Sequence, residues 1–183
     1  ANISLVQPLG ERLHALGYRV VMFDLPGFGQ TPPPEAPWTV FDYAAHVAAE
    51  LRAMGITKTH LFGHSFGGRL SLILGADEQA LLDKIVLSDA AGIKPPTPLL
   101  VRARTTAYKA ARDGLRRVGL RGLSDRLRNV YAARYGSSDY NAVSGVMRET
   151  FVKVVNKDLR DYARRVQAST LLLWGSADED TPL

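Results

Sequence analysis

With 183 residues and 46% hydrophobic content the chain is long enough to bury one domain core, and no apolar run approaches the length needed to span a bilayer. The absence of cysteine excludes disulfides and thiolate chemistry, and four histidines without metal-ligand spacing argue against a metal site. The net charge of +5 hides a segregation: residues 1–92 carry net −3, residues 93–168 net +11 and residues 169–183 net −3.

In chain order, Leu5, Leu9, Leu13 and Leu16 recur at helical spacing, and Gly17 ends that helix. Tyr18 to Asp24 reads as a strand that stops at Leu25-Pro26-Gly27-Phe28-Gly29, with Asp24 bracing its own loop. The proline-rich stretch from Thr31 to Pro37 is a loop, since consecutive prolines permit neither helix nor ladder. Thr39 and Asp42 form a capping box that opens a helix with the apolar stripe Val40, Ala44, Val47 and Leu51, closed by Gly55-Ile56-Thr57. A strand then runs from Thr59 into Gly63-His64-Ser65-Phe66-Gly67, and a helix with Leu70, Ile73 and Leu74 on its apolar face follows.

That strand, tight turn and helix are the context a nucleophile elbow needs. A serine at the tip takes a strained backbone conformation, so the residues two positions away on either side must be nearly free of side chain. Gly63 and Gly67 meet that demand and Gly68 adds clearance. The following helix aims its N-terminal N–H groups at the serine, where they favour an alkoxide or oxyanion. Ser65 is therefore the candidate nucleophile.

Lys84 to Asp89 is a further buried strand, and Ala90-Ala91-Gly92 lets the chain leave the sheet. From Thr97-Pro98 the sequence reads as helical to about Val166, divided by Gly114, Gly119, Gly122 and Tyr135-Gly136-Ser137-Ser138. Thr170 to Gly175 restores a strand, followed by Ser176 to Pro182. Strands alternating with helices give an α/β fold with a mostly parallel sheet, its core formed by 1–92 and 167–183, and 93–166 as an all-helical cap. Arg112, Arg116 and Arg117 in the basic segment are spaced as a solvated helix face, and aromatic interleaving of the kind single-strand binders use is sparse, so no nucleic-acid partner is expected.

These motifs resemble the α/β-hydrolase-fold superfamily in its lidded form. Tyr18 to Gly29 is similar to the family's fourth strand and its D-x-P-G-x-G loop, Phe62 to Gly68 to the elbow, and Leu171 to Pro182 to the W-G-x-x-D-x-x-x-P segment that supplies an acid. The resemblance implies Ser65 as nucleophile, Asp178 as the triad acid and the backbone N–H of Phe66 as an oxyanion-hole donor, with a cap shaping the substrate pocket. Asp178 sits just past a strand end, where catalytic groups gather in open α/β sheets, with a turn aspartate as the structural alternative. Asp89 and Asp180 rank below it.

The implied activity is that of a serine hydrolase on a small ester, thioester, lactone or activated carbon–carbon substrate, with no cofactor and a cytoplasmic location. A basic cap suits an anionic substrate, and Tyr108 and Tyr131 are candidate pocket residues. The departures from the family pattern concern the base. His14, His46, His60 and His64 all precede Asp178, whereas the family's histidine follows its acid. The second oxyanion donor belongs to a loop after a third strand, which normally lies between the strands at Tyr18 and Thr59. The chain is therefore expected to be an internal fragment of a longer hydrolase and nearly inactive alone. A noncatalytic ligand-binding or regulatory protein on the same scaffold is the alternative.

Overall fold

The structure, a computed structural model, describes residues 2–94, 98–135, 143–178 and 181. Its described elements are α1 (Ile3–Ala15), α2 (Val40–Ala53), β1 (Thr59–Ser65), α3 (Phe66–Asp77), a 3-10 turn (Gln79–Leu81), β2 (Leu82–Ala90), α4 (Leu99–Arg117), α5 (Arg121–Tyr135), α6 (Gly145–Asn156), α7 (Arg160–Ala163) and β3 (Ser169–Leu173). Two compact units divide them, Ala1–Lys94 with Glu149–Leu183 in one and Pro95–Arg148 in the other.

The first unit is built on a parallel sheet of order β1-β2-β3, in which Phe62 lies opposite Val86, Ser65 opposite Ala90 and Ser88 opposite Leu173. The capping box starts α2 as its spacing predicts: Asp42 N–H donates to Thr39 Oγ1 at 3.3 Å, and Thr39 N–H donates to Asp42 Oδ2 at 2.6 Å. The backbone hydrogen bond from Thr39 holds the Asp42 carboxyl below its ordinary value of 3.8. Replacing Thr39 by alanine is expected to cost about 1 kcal/mol at neutral pH. A depressed carboxylate stabilises the fold above its unfolded value, and that support vanishes as pH falls through the folded one, so urea unfolding near pH ~2 should show a smaller cost.

Val40, Tyr43, Ala44, Val47, Ala48 and Leu51 are the buried face of α2, and α3 is buried nearly all round, from Gly68 through Leu70 to Ala76. They join Ile85 and Leu87 of β2 in one core, which Val154 and Leu159 complete. Burying such side chains supplies about 1.5–3 kcal/mol each relative to exposure. Arg69 locks the later segment in place, donating from Nη1 to Val154 O at 3.2 Å and Lys157 O at 2.9 Å. Burial pushes its guanidinium below the ordinary arginine value.

The predicted strand at Tyr18 to Asp24 joins no ladder. A strand needs a neighbour to take its N–H and C=O groups, and among the described residues β1 pairs only with β2. The segment is held by side chains instead, with Phe23 against the core. Asp24 does brace its loop, accepting from Ile3 N–H at 2.8 Å and Gln30 N–H at 3.1 Å. The leucine stripe of α1 is likewise not buried: Leu5 and Leu16 are 61% and 76% exposed, whereas Gly10 is buried against Met22. β3 is exposed along all five residues, its leucines between 46% and 54%.

The second unit ends at Arg148, not at the expected boundary of 166, because Thr150, Val154 and Leu159 are buried with the first unit. Trp38 N–H donates to Thr150 Oγ1 at 3.1 Å, and Leu159 N–H to Gly92 O at 2.9 Å. Gly114 and Gly122 lie inside helices rather than dividing them, and Gly119 at φ 81° makes the break. α4 and α5 form an antiparallel hairpin through Tyr108 stacked on Tyr131 at 3.9 Å, with Thr105 Oγ1 3.1 Å from the Tyr131 hydroxyl. Both rings thus fill the helix interface. The expected breaks at Thr97 and at 136–138 lie outside the described residues.

Candidate active site

Ser65 is the last residue of β1 and the N-cap of α3, at φ 48° and ψ −110°. A positive φ on a non-glycine residue stores strain of order 1–3 kcal/mol and persists only where its surroundings enforce it. Those surroundings are tight. A Cβ on Gly63 would lie 2.5 Å from Ser71 Oγ and 2.7 Å from Gly67 O, and one on Gly68 would fall 2.9 Å from Ala90 Cα and closer still to its Cβ. A Cβ on Gly67, by contrast, meets nothing within 4 Å. The glycines that packing demands are therefore 63 and 68, not 63 and 67, because α3 lies over β2 on the Gly68 side.

The Ser65 side chain is exposed, and among the described residues its hydroxyl has no hydrogen-bond partner. The Phe66 N–H, in the first position of α3, is one of the helix-start donors that no helical carbonyl can satisfy. Its ring packs among other aromatic residues. It stacks on Phe28 at 5.4 Å and meets Tyr43 edge-on at 5.2 Å, fixing the start of α3.

Two acidic residues stand at the same C-terminal edge of the sheet. Asp178 follows β3, and its carboxylate accepts from Thr181 N–H at 3.0 Å and from Thr181 Oγ1 at 2.5 Å. Asp89 precedes the end of β2 at φ 42°, accepting from Gly175 N–H at 2.8 Å. Thr181 Oγ1 also lies 3.1 Å from Asp89 O, and Ala91 N–H donates to Ser65 O at 3.1 Å. These bonds tie the loops after the three strands into one rim. Since neighbouring strands lie about 4.8 Å apart and β2 intervenes, Ser65 and the strand end before Asp178 are separated by roughly 10 Å, a gap that a bridging imidazole would span. Asp180 lies outside the described residues.

All four histidines have partners elsewhere. His64 Nδ1 is 3.0 Å from Ser88 O, His60 Nδ1 is 3.4 Å from Asp83, His46 Nδ1 is 3.9 Å from Glu50 and His14 Nδ1 is 3.3 Å from Tyr18 O. His64 adjoins Ser65 in sequence, yet its ring turns along the sheet toward β2. A shallow cleft lined by Arg52, Ile56, Thr57, Glu78 and Leu81 lies before β1 and β2, at the opposite edge of the sheet from Ser65.

A profile of the alpha/beta hydrolase fold matches residues 2–116. The chain belongs to that family. Among curated relatives, a protein of Variovorax paradoxus named as a carbamate hydrolase is 37% identical over 83 residues, covering 45% of this chain and 31% of its own length. A 2-hydroxy-6-oxononadienedioate/2-hydroxy-6-oxononatrienedioate hydrolase of Dechloromonas aromatica is 27% identical over 189 residues, covering 94% of this chain and 64% of its own. The chain thus spans from about a third to just under two thirds of these relatives. The esterase of Exiguobacterium antarcticum superposes with a TM-score of 0.68 at 20% identity, over 100% of this chain and 72% of that one, which shows the shared α/β-hydrolase fold.

Thr181 and Ser71 escaped the sequence reading. Thr181 fixes the Asp178 carboxylate, and its spacing three residues after an aspartate is the available signal. Ser71 is 3% exposed, donates to Gly67 O at 3.0 Å and fills the space beneath Gly63. A serine in the middle of an apolar helix face gives no comparable hint. Among the described residues no helix is long and apolar enough to cross a membrane.

Proposed function

We propose that this chain carries the nucleophile and acid of a serine hydrolase that cleaves a small ester, thioester, lactone or activated carbon–carbon substrate. The observation that carries the reading is the strained backbone of Ser65, which holds an exposed hydroxyl beside the open N–H groups of α3. In the proposed reaction Ser65 Oγ attacks the substrate carbonyl carbon as its proton passes to an imidazole base. The Phe66 N–H donates to the oxygen that becomes negative, and Asp178 holds the imidazole by its second N–H. Collapse of the tetrahedral intermediate expels the leaving group, which takes up the proton, and water then releases the acyl group from Ser65.

The base in this proposal is not one of the chain's four histidines, since each is engaged away from Ser65. The names of the two curated relatives support a small carbonyl substrate: a carbamate and an oxo-dienedioate both carry such a carbon. A cytoplasmic location belongs to the same proposal. The experiment is to treat the chain with a fluorophosphonate, with and without added imidazole, and map the adduct by peptide mass spectrometry. Modification at Ser65, accelerated by imidazole, is expected. Labelling spread over other serines with Ser65 spared would favour a noncatalytic binding protein on this scaffold.

A further inference from the structure

The hairpin of the second unit ends in an exposed turn whose chemistry is not explained by the site at Ser65. Val118 is 70% exposed, and Leu120 and Leu123 are each 51% exposed, three large apolar side chains within six residues. Single exposed apolar residues are ordinary, but a cluster on one turn marks an interaction surface. The turn is ordered: Gly119 N–H donates to Arg116 O at 3.2 Å, Leu120 N–H to Leu115 O at 2.9 Å and Ser124 N–H to Leu120 O at 3.1 Å. The stacked Tyr108 and Tyr131 and the Thr105 hydrogen bond hold the two helices together behind it.

Arginines surround those apolar residues. Arg116, Arg117, Arg121, Arg126 and Arg128 lie on the turn and the helix ends beside it, and the one acid among them, Asp125, is shared by Arg116 at 3.7 Å and Arg128 at 3.6 Å. Arg117, Arg121 and Arg126 therefore have no ion pair among the described residues. The whole unit Pro95–Arg148 contains eleven Lys/Arg and three Asp, net +8. Positive charge alone fits any polyanion. Aliphatic side chains at the centre of it do not help to hold nucleic acid, which rewards aromatic stacking, but they enter the boundary between headgroups and acyl chains.

We propose that the α4–α5 turn docks on an anionic lipid bilayer, with Val118, Leu120 and Leu123 inserted among the acyl chains and Arg117, Arg121 and Arg126 against the headgroup phosphates. Neither half suffices for firm attachment. A shallow apolar insertion is weak, and arginines near a charged surface act only within a Debye length, so the two together give reversible, salt-sensitive binding. This surface is independent of the chemistry at Ser65.

The test is co-sedimentation of the 183-residue chain with vesicles of phosphatidylcholine alone and with roughly one-third phosphatidylglycerol. Two double variants, Leu120→Ser with Leu123→Ser and Arg117→Ser with Arg121→Ser, are compared with Arg12→Ser plus Arg19→Ser on the first unit. Circular dichroism checks that each is folded. Binding to the anionic vesicles only, weakened by salt, is expected to fall about tenfold or more in each turn variant and to persist in the control. Equal binding to neutral vesicles would overturn the proposal, as would turn variants that bind like the parent. Displacement from vesicles by duplex DNA that the Leu120→Ser, Leu123→Ser variant still holds at full strength would assign the surface to nucleic acid instead.

Discussion

Gly68→Ala is expected to destabilise the fold by about 2–3 kcal/mol, whereas Gly67→Ala, one residue earlier, changes stability by less than about 1 kcal/mol. The two positions differ only in what lies over them. The new methyl at 68 would enter the backbone and side chain of Ala90, which cannot swing aside because Ala90 is paired with Ser65 across the sheet and the next residue, Ala91, donates its N–H to Ser65 O at 3.1 Å. The new methyl at 67 meets open space, and alanine is a better helix former than glycine there. Urea midpoints of the two variants measure the contrast. Equal losses would mean that α3 does not rest on β2 as described, and with it the strain at Ser65 would lose its cause.

Tyr43→Ala is expected to cost about 4 kcal/mol, and Tyr43→Phe about 1–2 kcal/mol. Tyr43 is fully buried, its ring centroid 6.0 Å from that of Phe28, 4.9 Å from that of Trp38 and 5.2 Å from that of Phe66, so truncation opens a cavity beneath the start of α3. Its hydroxyl donates to Pro26 O at 2.8 Å, and phenylalanine would leave that carbonyl unpaired. Burial raises the Tyr43 hydroxyl from 10.0 to about 12. A raised group gives stability that is complete below the unfolded value and lost as pH climbs through the folded one. The parent should therefore weaken between about pH 10 and about pH 12 through this residue, and Tyr43→Phe should lack that component. Identical alkaline profiles for the two proteins would contradict the burial of the hydroxyl.

What was legible in the sequence was local. Thr39 and Asp42 satisfy each other's backbone at a fixed spacing, and Gly63 to Gly68 permit one tight turn between an apolar strand and an apolar helix, so residue type alone announced both. Tyr18 to Asp24 has the composition of a strand, but strandedness depends on a partner, and no property of those seven residues reports whether one is adjacent. The leucines of α1 misled for a similar reason: periodicity identifies an apolar face without saying what will cover it. At the candidate site, the importance of Gly68 over Gly67 depends on where β2 passes, and the link from Thr181 to both Asp178 and Asp89 depends on two loops meeting. Neither is written in a spacing. The orientation of His64 could be anticipated, since successive residues on a strand face opposite ways, and its ring meets Ser88 O rather than Ser65.

The proposal that Ser65 is the nucleophile and that none of the four histidines is its base is tested most directly by p-nitrophenyl acetate hydrolysis, measured for the parent chain and for Ser65→Ala, each with and without imidazole. Loss of a triad histidine costs on the order of a million-fold in turnover, so without imidazole the two proteins should be indistinguishable. With imidazole present the parent should exceed Ser65→Ala. Imidazole-independent turnover that disappears in Ser65→Ala would place the base within the chain, and equal rates with imidazole would remove Ser65 from the chemistry.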